Sequence, residues 1–218
     1  MMSLLQQCSI TLSTLIANFV ETANCPVVDI TGIALDSRQV EAGDLFIAIK
    51  GAEADGSAFI PQAVERGAVA ILAEKGQTID SSVNGTVPVI GIENLSKYVS
   101  DIAGVFYGHP SRQMALTAIT GTNGKTTCSR LYAELVEKLS SSSAAFIGTL
   151  GYGMAGSQAG TDIPALGETG LTTPDAVAMQ RILAELESRG ARTAALEVSS
   201  HSLVQRRVAG LHIDTAVF

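Results

Sequence analysis

Short apolar runs alternate with segments of helical periodicity along most of this chain. The apolar runs have the length and composition of buried strands, and they cover 45–49, 68–73, 87–92, 114–119, 144–150 and 193–198. Helices are predicted over 12–20, 61–66, 94–107, 128–139 and 174–189. The last of these has Thr173 as its expected N-cap and Pro174 in its first turn. Strands and helices that alternate in this way favour a layered α/β fold.

The alternation is interrupted between the helix at 94–107 and the strand at 114–119, where Gly108-His109-Pro110 ends the helix. A new strand and helix series starts there. We therefore expect a domain boundary within 93–112, and we divide the chain into domains 1–93 and 94–218. Because the final residues, 212–218, have the composition of a strand in mid-domain, we expect the second domain to be incomplete at its C-terminus.

Composition and charge restrict the class of protein. The 218 residues are 46% hydrophobic, with a mean hydropathy of +0.30, which is enough for a substantial core. A net charge of −7 argues against nucleic acid or an anionic membrane as the main partner. The three cysteines lack C-x-x-C spacing, which fits a reducing cytoplasm better than a disulfide framework or a zinc site. No Lys or Arg precedes Arg38, so a signal peptide is not indicated, and no apolar run is long enough to cross a bilayer.

The segment 120–127, Thr-Gly-Thr-Asn-Gly-Lys-Thr-Thr, lies between a predicted strand and a predicted helix. Gly121 and Gly124 let the backbone approach a ligand closely, so that successive N–H groups can point at phosphate oxygens. The helix adds the positive end of its dipole, Lys125 can reach β- and γ-phosphates, and Thr126 can help to hold Mg²⁺. Ile119 stands where the full G-x-x-x-x-G-K-[ST] pattern has its first glycine, so an ordinary turn is the alternative.

Two further polar features stand among apolar strands. Glu197 lies near the end of the run 193–198, where a buried carboxylate is costly unless it is paired or binds metal. Two explanations of this carboxylate stay open: it binds Mg²⁺ beside the phosphate loop, or it forms an ion pair with a nearby Arg. The polar cluster at 36–44 lies between two strands, and either a solvated loop or a ligand contact explains it.

Three motifs, in order along nearly the whole chain, resemble those of one protein family. They are Asp36-Ser37-Arg38 with Gly43-Asp44-Leu45-Phe46, the phosphate loop at 120–127, and the segment 197–208, Glu-Val-Ser-Ser-His-Ser-Leu-Val-Gln-Arg-Arg-Val. The chain is similar in these motifs to the Mur ligases of peptidoglycan synthesis, and among them to those that add the third peptide residue. The resemblance implies an N-terminal α/β UDP-substrate-binding domain followed by a central phosphate-loop α/β domain of Mur ligase type.

The resemblance also implies roles for individual residues. ATP is expected to bind at Gly121, Thr122, Asn123, Gly124, Lys125, Thr126 and Thr127. Mg²⁺ is expected at Thr126 and Glu197, with Lys125 and Glu197 as the catalytic residues. The UDP end of the substrate is expected to contact Leu35, Ser37, Ala52, Glu53 and Ala54. Its sugar and peptide are expected to contact Thr172, Thr173, Ser199, Gln205 and Arg207. His201 lies in the same motif, and we assign it a packing or hydrogen-bonding role.

The implied activity is ATP-dependent amide formation by a cytoplasmic monomer. The D-Glu carboxylate of UDP-N-acetylmuramoyl-L-alanyl-D-glutamate attacks the γ-phosphate, and the amine of a diamino acid then displaces phosphate from the acyl phosphate. Meso-diaminopimelate is favoured over L-lysine as that diamino acid. Leu171 departs from the family, which carries Asn there. The family's carbamylated lysine and C-terminal amino-acid-binding domain do not occur in these 218 residues, so we expect this chain alone to bind without ligating.

Two alternative functions are also compatible with the sequence. A ligase similar to folylpolyglutamate synthetase shares the phosphate loop, but a domain with an Asp-Ser-Arg motif precedes the loop here. A non-catalytic nucleotide-binding fragment is the other alternative. Binding of the UDP substrate separates both from the preferred reading.

Overall fold

The structure is a computed structural model that describes residues 9–23, 25–51, 55–76, 87–140, 142–156, 167 and 170–218. The chain divides into two compact units, and the division follows Phe106, inside the interval 93–112. Each unit has its own β-sheet, parallel in the first unit and mostly parallel in the second, and its own helices. The layered α/β fold expected from the sequence is therefore confirmed.

The first unit begins with a small antiparallel pair of strands. These are β1 (Ile10–Thr11) and β2 (Asp29–Ile30), and helix α1 (Leu12–Ile16) follows β1 in the chain. The helix is shorter than the predicted 12–20. Its buried side chains are Leu12, Leu15 and Ile16.

A parallel four-stranded sheet forms the centre of the first unit. Its strands, in spatial order, are β3 (Gly32–Ala34), β4 (Asp44–Ala48), β5 (Ala70–Glu74) and β6 (Val89–Ile92). Strand β4 is buried on both faces, which is the reason that its sequence is continuously apolar rather than alternating. Helix α2 (Ile60–Glu65) packs Ile60 and Ala63 against Phe46, and helix α3 (Val99–Phe106) packs against α1.

The second unit is built on a five-stranded sheet. In chain order its strands are β7 (Ala115–Ile119), β8 (Ala144–Gly148), β9 (Gly151–Met154), β10 (Thr193–Glu197) and β11 (Thr215–Val217). In space the order is β11-β7-β10-β8-β9, and all neighbours are parallel except β8 and β9. The register sets Glu197 opposite Ile119. The carboxyl ends of β7 and β10 therefore meet at one edge, where α/β sheets bind ligands.

Helices cover both faces of this sheet. Helix α4 (Lys125–Ser140) packs Ala133 and Val136 against Ala144 and Phe146. Helix α5 (Ala176–Ser188) covers the opposite face, and its core side chains are Met179, Ile182, Leu183 and Leu186. Helix α6 (Ser200–Val204) follows β10 directly.

The leucines of helix α4 do not face the sheet. Leu131, Leu135 and Leu139 are 53%, 54% and 83% exposed, whereas Ser129 and Ala133 are buried. The helix is confirmed, but its packing face is formed by Ala133 and Val136 rather than by the leucines.

No helix in the described ranges is both long enough and apolar enough to span a membrane.

Candidate phosphate and metal site

The loop between β7 and α4 has the backbone shape that the sequence predicts. Gly121 and Gly124 have φ angles of +129° and +80°, in the region that favours glycine. A Cβ built on either residue would meet no atom closer than 3.9 Å. The backbone conformation, rather than crowding, therefore requires glycine here. The loop leads into the first turn of α4, where the Cys128 N–H donates to the Gly124 carbonyl (2.8 Å), and unpaired N–H groups and the helix dipole there favour an anion.

Lys125 lies folded over this loop. Its Nζ donates to the Gly121 carbonyl at 2.7 Å and lies 3.4 Å from the Thr122 carbonyl. Both partners are neutral oxygens of the loop itself. An arriving phosphate would offer the ammonium group a charged acceptor, which forms a stronger hydrogen bond than a carbonyl does.

Glu197, at the end of β10, is 2% exposed and holds its carboxylate beside the loop. Oε2 accepts from the Thr126 hydroxyl at 3.0 Å and from the Thr149 hydroxyl at 3.1 Å. Oε1 accepts from the Thr149 backbone N–H at 3.1 Å. In the part of the chain that the structure describes, no Arg pairs with this carboxylate, so the ion-pair alternative from the sequence is not realised.

The Glu197 carboxylate can occupy this position only because Gly148 has no side chain. A Cβ at that position would lie 1.9 Å from Glu197 Oε1. Any other residue there would force the carboxylate away from Thr126. The last residue of β8 is therefore glycine for a reason of space, unlike the loop glycines.

The donor set fits Mg²⁺ bound together with phosphates. Within the described ranges no cluster of three or more His, Cys, Asp or Glu exists, which excludes a cage made by these side chains alone. Mg²⁺ typically takes one or two carboxylates and completes its shell with water and phosphate oxygens. Glu197 and Thr126 supply one carboxylate and one hydroxyl, 3.0 Å apart.

The substrate-binding residues expected in the second unit lie together around the carboxyl end of β10. Thr173 is buried, donates to the Glu197 carbonyl (2.9 Å) and accepts from the Ser199 N–H (3.1 Å). Arg207 donates through Nη1 to the Thr173 carbonyl (2.6 Å) and through Nε to Gln205 Oε1 (2.8 Å). Thr172 lies 3.2 Å from the Thr149 hydroxyl. The segment before α5 is thus fastened to the segment after β10.

The N-cap expected for α5 is wrong. Asp175, not Thr173, caps the helix, and its Oδ1 accepts from the N–H groups of Val177 (2.9 Å) and Ala178 (2.8 Å). The reason is that the Thr173 hydroxyl is already bonded to the backbone beside β10. The capping propensity of Thr173 was therefore outweighed by its tertiary contact with the end of β10.

The substrate-binding residues expected in the first unit are only partly described. Leu35 is half-buried, and the Ser37 hydroxyl is buried and donates to Gln62 Oε1 (2.6 Å). Asp36 pairs with Arg38 at 2.7 Å, and this hydrogen bond lowers the pKa of Asp36. The other expected contacts, Ala52, Glu53 and Ala54, lie outside the described residues.

Sequence reasoning missed Thr149. Its two hydrogen bonds to Glu197 come from the turn directly after β8. The available signal was its position, because a polar residue at the carboxyl end of a buried parallel strand faces the same edge as the phosphate loop. The sequence does not show which strands are neighbours.

Comparison with protein families matches two regions of the chain. Residues 29–107 match the model described as "Mur ligase family, catalytic domain", and residues 119–218 match "Mur ligase middle domain". A protein of Coxiella burnetii named UDP-N-acetylmuramoyl-L-alanyl-D-glutamate–2,6-diaminopimelate ligase is 41% identical over 189 residues, which cover 87% of this chain and 37% of that protein. A protein of the same name from Pseudomonas putida is 46% identical over 186 residues, covering 85% of this chain and 35% of that protein.

Solved structures show the same similarity. The structure of a ligase with that name superposes with a TM-score of 0.73 at 28% identity, covering 95% of this chain and 39% of the other. A structure of MurF from Acinetobacter baumannii superposes with a TM-score of 0.58 at 20% identity, which shows a shared fold. The chain thus spans less than half the length of these relatives.

Proposed function

This chain belongs to the Mur ligase family, and from that membership we propose that it is the UDP-substrate-binding and ATP-binding part of a ligase of peptidoglycan precursor synthesis. The substrate is UDP-N-acetylmuramoyl-L-alanyl-D-glutamate, and the amino acid added is a diamino acid, meso-diaminopimelate. The names of the relatives support both assignments. The observation that carries the proposal is the Thr126–Glu197 contact, which brings a carboxylate to the phosphate loop.

The two units divide the work in this proposal. The first unit, with Leu35, Ser37 and the segment 52–54, binds the UDP end. The second unit binds ATP on the loop 121–127 and the sugar and peptide near Thr172, Thr173, Ser199, Gln205 and Arg207. The protein acts as a cytoplasmic monomer. Size-exclusion chromatography with light scattering tests the monomer directly.

The chemistry is phosphoryl transfer followed by amide formation. The D-Glu carboxylate attacks the γ-phosphorus of ATP, the bond to ADP breaks, and the acyl phosphate is then attacked by the amine, which releases phosphate and a proton. Mg²⁺ at Thr126 and Glu197 supplies neutralisation of phosphate charge. Lys125 and the N–H groups of the loop stabilise the same charge, which is needed because two anions approach each other in the first step.

Calorimetric titration of the 218-residue chain tests the assignment. We expect saturable binding of UDP-N-acetylmuramoyl-L-alanyl-D-glutamate, and separately of a non-hydrolysable ATP analogue with Mg²⁺. Lys125→Ala is expected to lower affinity for the ATP analogue at least tenfold and to leave the UDP substrate within about twofold, because the lysine is a phosphate contact. Lys138→Ala, in the last turn of the same helix, is the matched control and should change neither.

The outcomes separate the rival functions. Binding of the ATP analogue without the UDP substrate would favour a ligase like folylpolyglutamate synthetase or a nucleotide-binding protein of another kind. A clear loss of UDP-substrate binding in Lys125→Ala would contradict the division of roles between the units.

A further inference from the structure

Thr149, which lies outside the family motifs, makes two hydrogen bonds to the Glu197 carboxylate. It follows β8, at the same edge of the sheet as the phosphate loop. Its backbone N–H reaches Oε1 and its hydroxyl reaches Oε2, both at 3.1 Å. Thr126 is the other donor to Oε2. The carboxylate is therefore held from two sides, by the phosphate loop and by the turn after β8.

The direction of the hydrogens follows from donor and acceptor chemistry. The Thr149 hydroxyl lies within reach of both Glu197 Oε2 (3.1 Å) and Thr172 Oγ1 (3.2 Å), but it has a single hydrogen to give. A hydrogen bond to a carboxylate is stronger than one between neutral hydroxyls. The Thr149 hydrogen therefore points at Glu197, and Thr172 Oγ1 is only a competing acceptor for that hydrogen.

We infer that Thr149 is a positioning residue for the magnesium site, because it orients the Glu197 carboxylate toward Mg²⁺. This inference rests on the proposed function, since it needs nucleotide and Mg²⁺ to bind at this loop. The carboxylate occupies space that a side chain at position 148 would fill, so this orientation also depends on Gly148. Partners that orient a metal ligand typically change metal affinity ten- to a hundredfold when they are removed.

The test measures the Mg²⁺ dependence of nucleotide binding to the full chain. The readout is the ratio between the affinity for a non-hydrolysable ATP analogue in Mg²⁺ and that in EDTA. We expect Thr149→Val, which replaces the hydroxyl by a methyl group, to lower this ratio about tenfold and to leave the affinity in EDTA unchanged. Thr149→Ser keeps the hydroxyl and should retain the wild-type ratio. Thr215→Val, on the exposed strand β11, is the control for a threonine exchange elsewhere.

Several results would overturn the inference. These are a ratio for Thr149→Val within about twofold of wild type, an equal loss in EDTA and in Mg²⁺, or a Thr149→Ser variant as impaired as Thr149→Val. Thr149→Ala, which adds no methyl group, gives the same test where valine prevents folding. A wild-type chain that binds no nucleotide, or binds it without regard to Mg²⁺, would instead refute the proposed function itself, and the inference with it.

Discussion

Among the described residues, the partners that hold the buried carboxylate of Glu197 are hydrogen-bond donors. Two hydroxyls and one backbone N–H point at it. A glutamine can accept at only one end of its amide, so Glu197→Gln leaves at least one donor facing an NH₂ group. A buried group left unpaired costs about 1–3 kcal/mol. We expect a fall of that size in the free energy of unfolding, measured in urea, together with loss of Mg²⁺-dependent nucleotide binding.

The control for this prediction is Glu187→Gln. Glu187 lies 3.8 Å from Arg192 at the surface, where an ion pair contributes little. Its removal should change the free energy of unfolding by less than about 0.5 kcal/mol. Equal losses for the two variants would show that the donors around Glu197 do not matter.

Tyr152 makes the stability of the second unit depend on pH in the alkaline range. Its hydroxyl is partly buried and donates to Glu185 Oε2 at 3.0 Å, and burial, followed by this hydrogen bond, raises the pKa of Tyr152 above its ordinary value of 10.0. The folded state therefore keeps the phenol proton at pH values where the unfolded chain releases it. The stabilisation is fully present below pH 10 and is lost as the pH rises through the folded-state pKa.

Urea unfolding of wild type and Tyr152→Phe at a series of pH values checks this. Near neutrality the variant should be less stable by about 1 kcal/mol, the net value of a hydrogen bond. The difference should shrink as the pH rises above about 10. A difference that stays constant with pH would rule out titration of this phenol as its origin.

At the scale of elements, helix α4 has its leucines on the side away from the sheet. Leu135→Gln removes an exposed apolar side chain from a helix that tolerates glutamine, so the free energy of unfolding should change by less than about 0.5 kcal/mol. Ala133→Leu inserts a large side chain where the helix meets Ala144 and Phe146, and should cost about 1–3 kcal/mol. The opposite ranking in urea unfolding would mean that the leucines form the packing face.

Periodicity predicted the existence of this helix but not its orientation. The leucine spacing indicates which residues share a face, and that face need not be the buried one. Strands were predicted better, because β7, β8 and β10 are buried on both faces and leave continuous apolar runs. The start of α5 was misplaced because Thr173 and Asp175 are both good capping residues. Only the contact of Thr173 with β10 decides between them.

At the scale of the whole molecule, the proposed nucleotide contacts all lie in the second unit. Mg²⁺ and an ATP analogue at about 100 times the dissociation constant should stabilise that unit by about 2.7 kcal/mol. Hydrogen exchange resolved by peptide should therefore slow in the sheet of β7, β8 and β10 and in α4. It should change little in β3 to β6. Equal slowing in both sheets would contradict the assignment of the nucleotide to the second unit.

The candidate site was predictable to the extent that it is local in sequence. Gly121, Gly124, Lys125 and Thr126 belong to one loop, so residue types and spacing identified them. Glu197 stood out as a charged residue in an apolar strand. The role of Thr149 depends on β10 lying between β7 and β8, a pairing between residues 48 positions apart that no local pattern contains.

Strand β7 pairs with two strands that come later in the chain, and this affects how the second unit folds during translation. Its neighbours in the sheet are β10 and β11, and the Thr126–Glu197 contact spans 71 positions of the chain. A ribosome that has delivered the phosphate loop must still add those residues, which takes roughly 4–14 s at about 5–20 residues per second. During that interval the nascent chain has the motif without the carboxylate or the flanking strands. Nucleotide can therefore act as a folding ligand only after β10 has been made, whereas the sheet of β3 to β6 is complete before the loop is made.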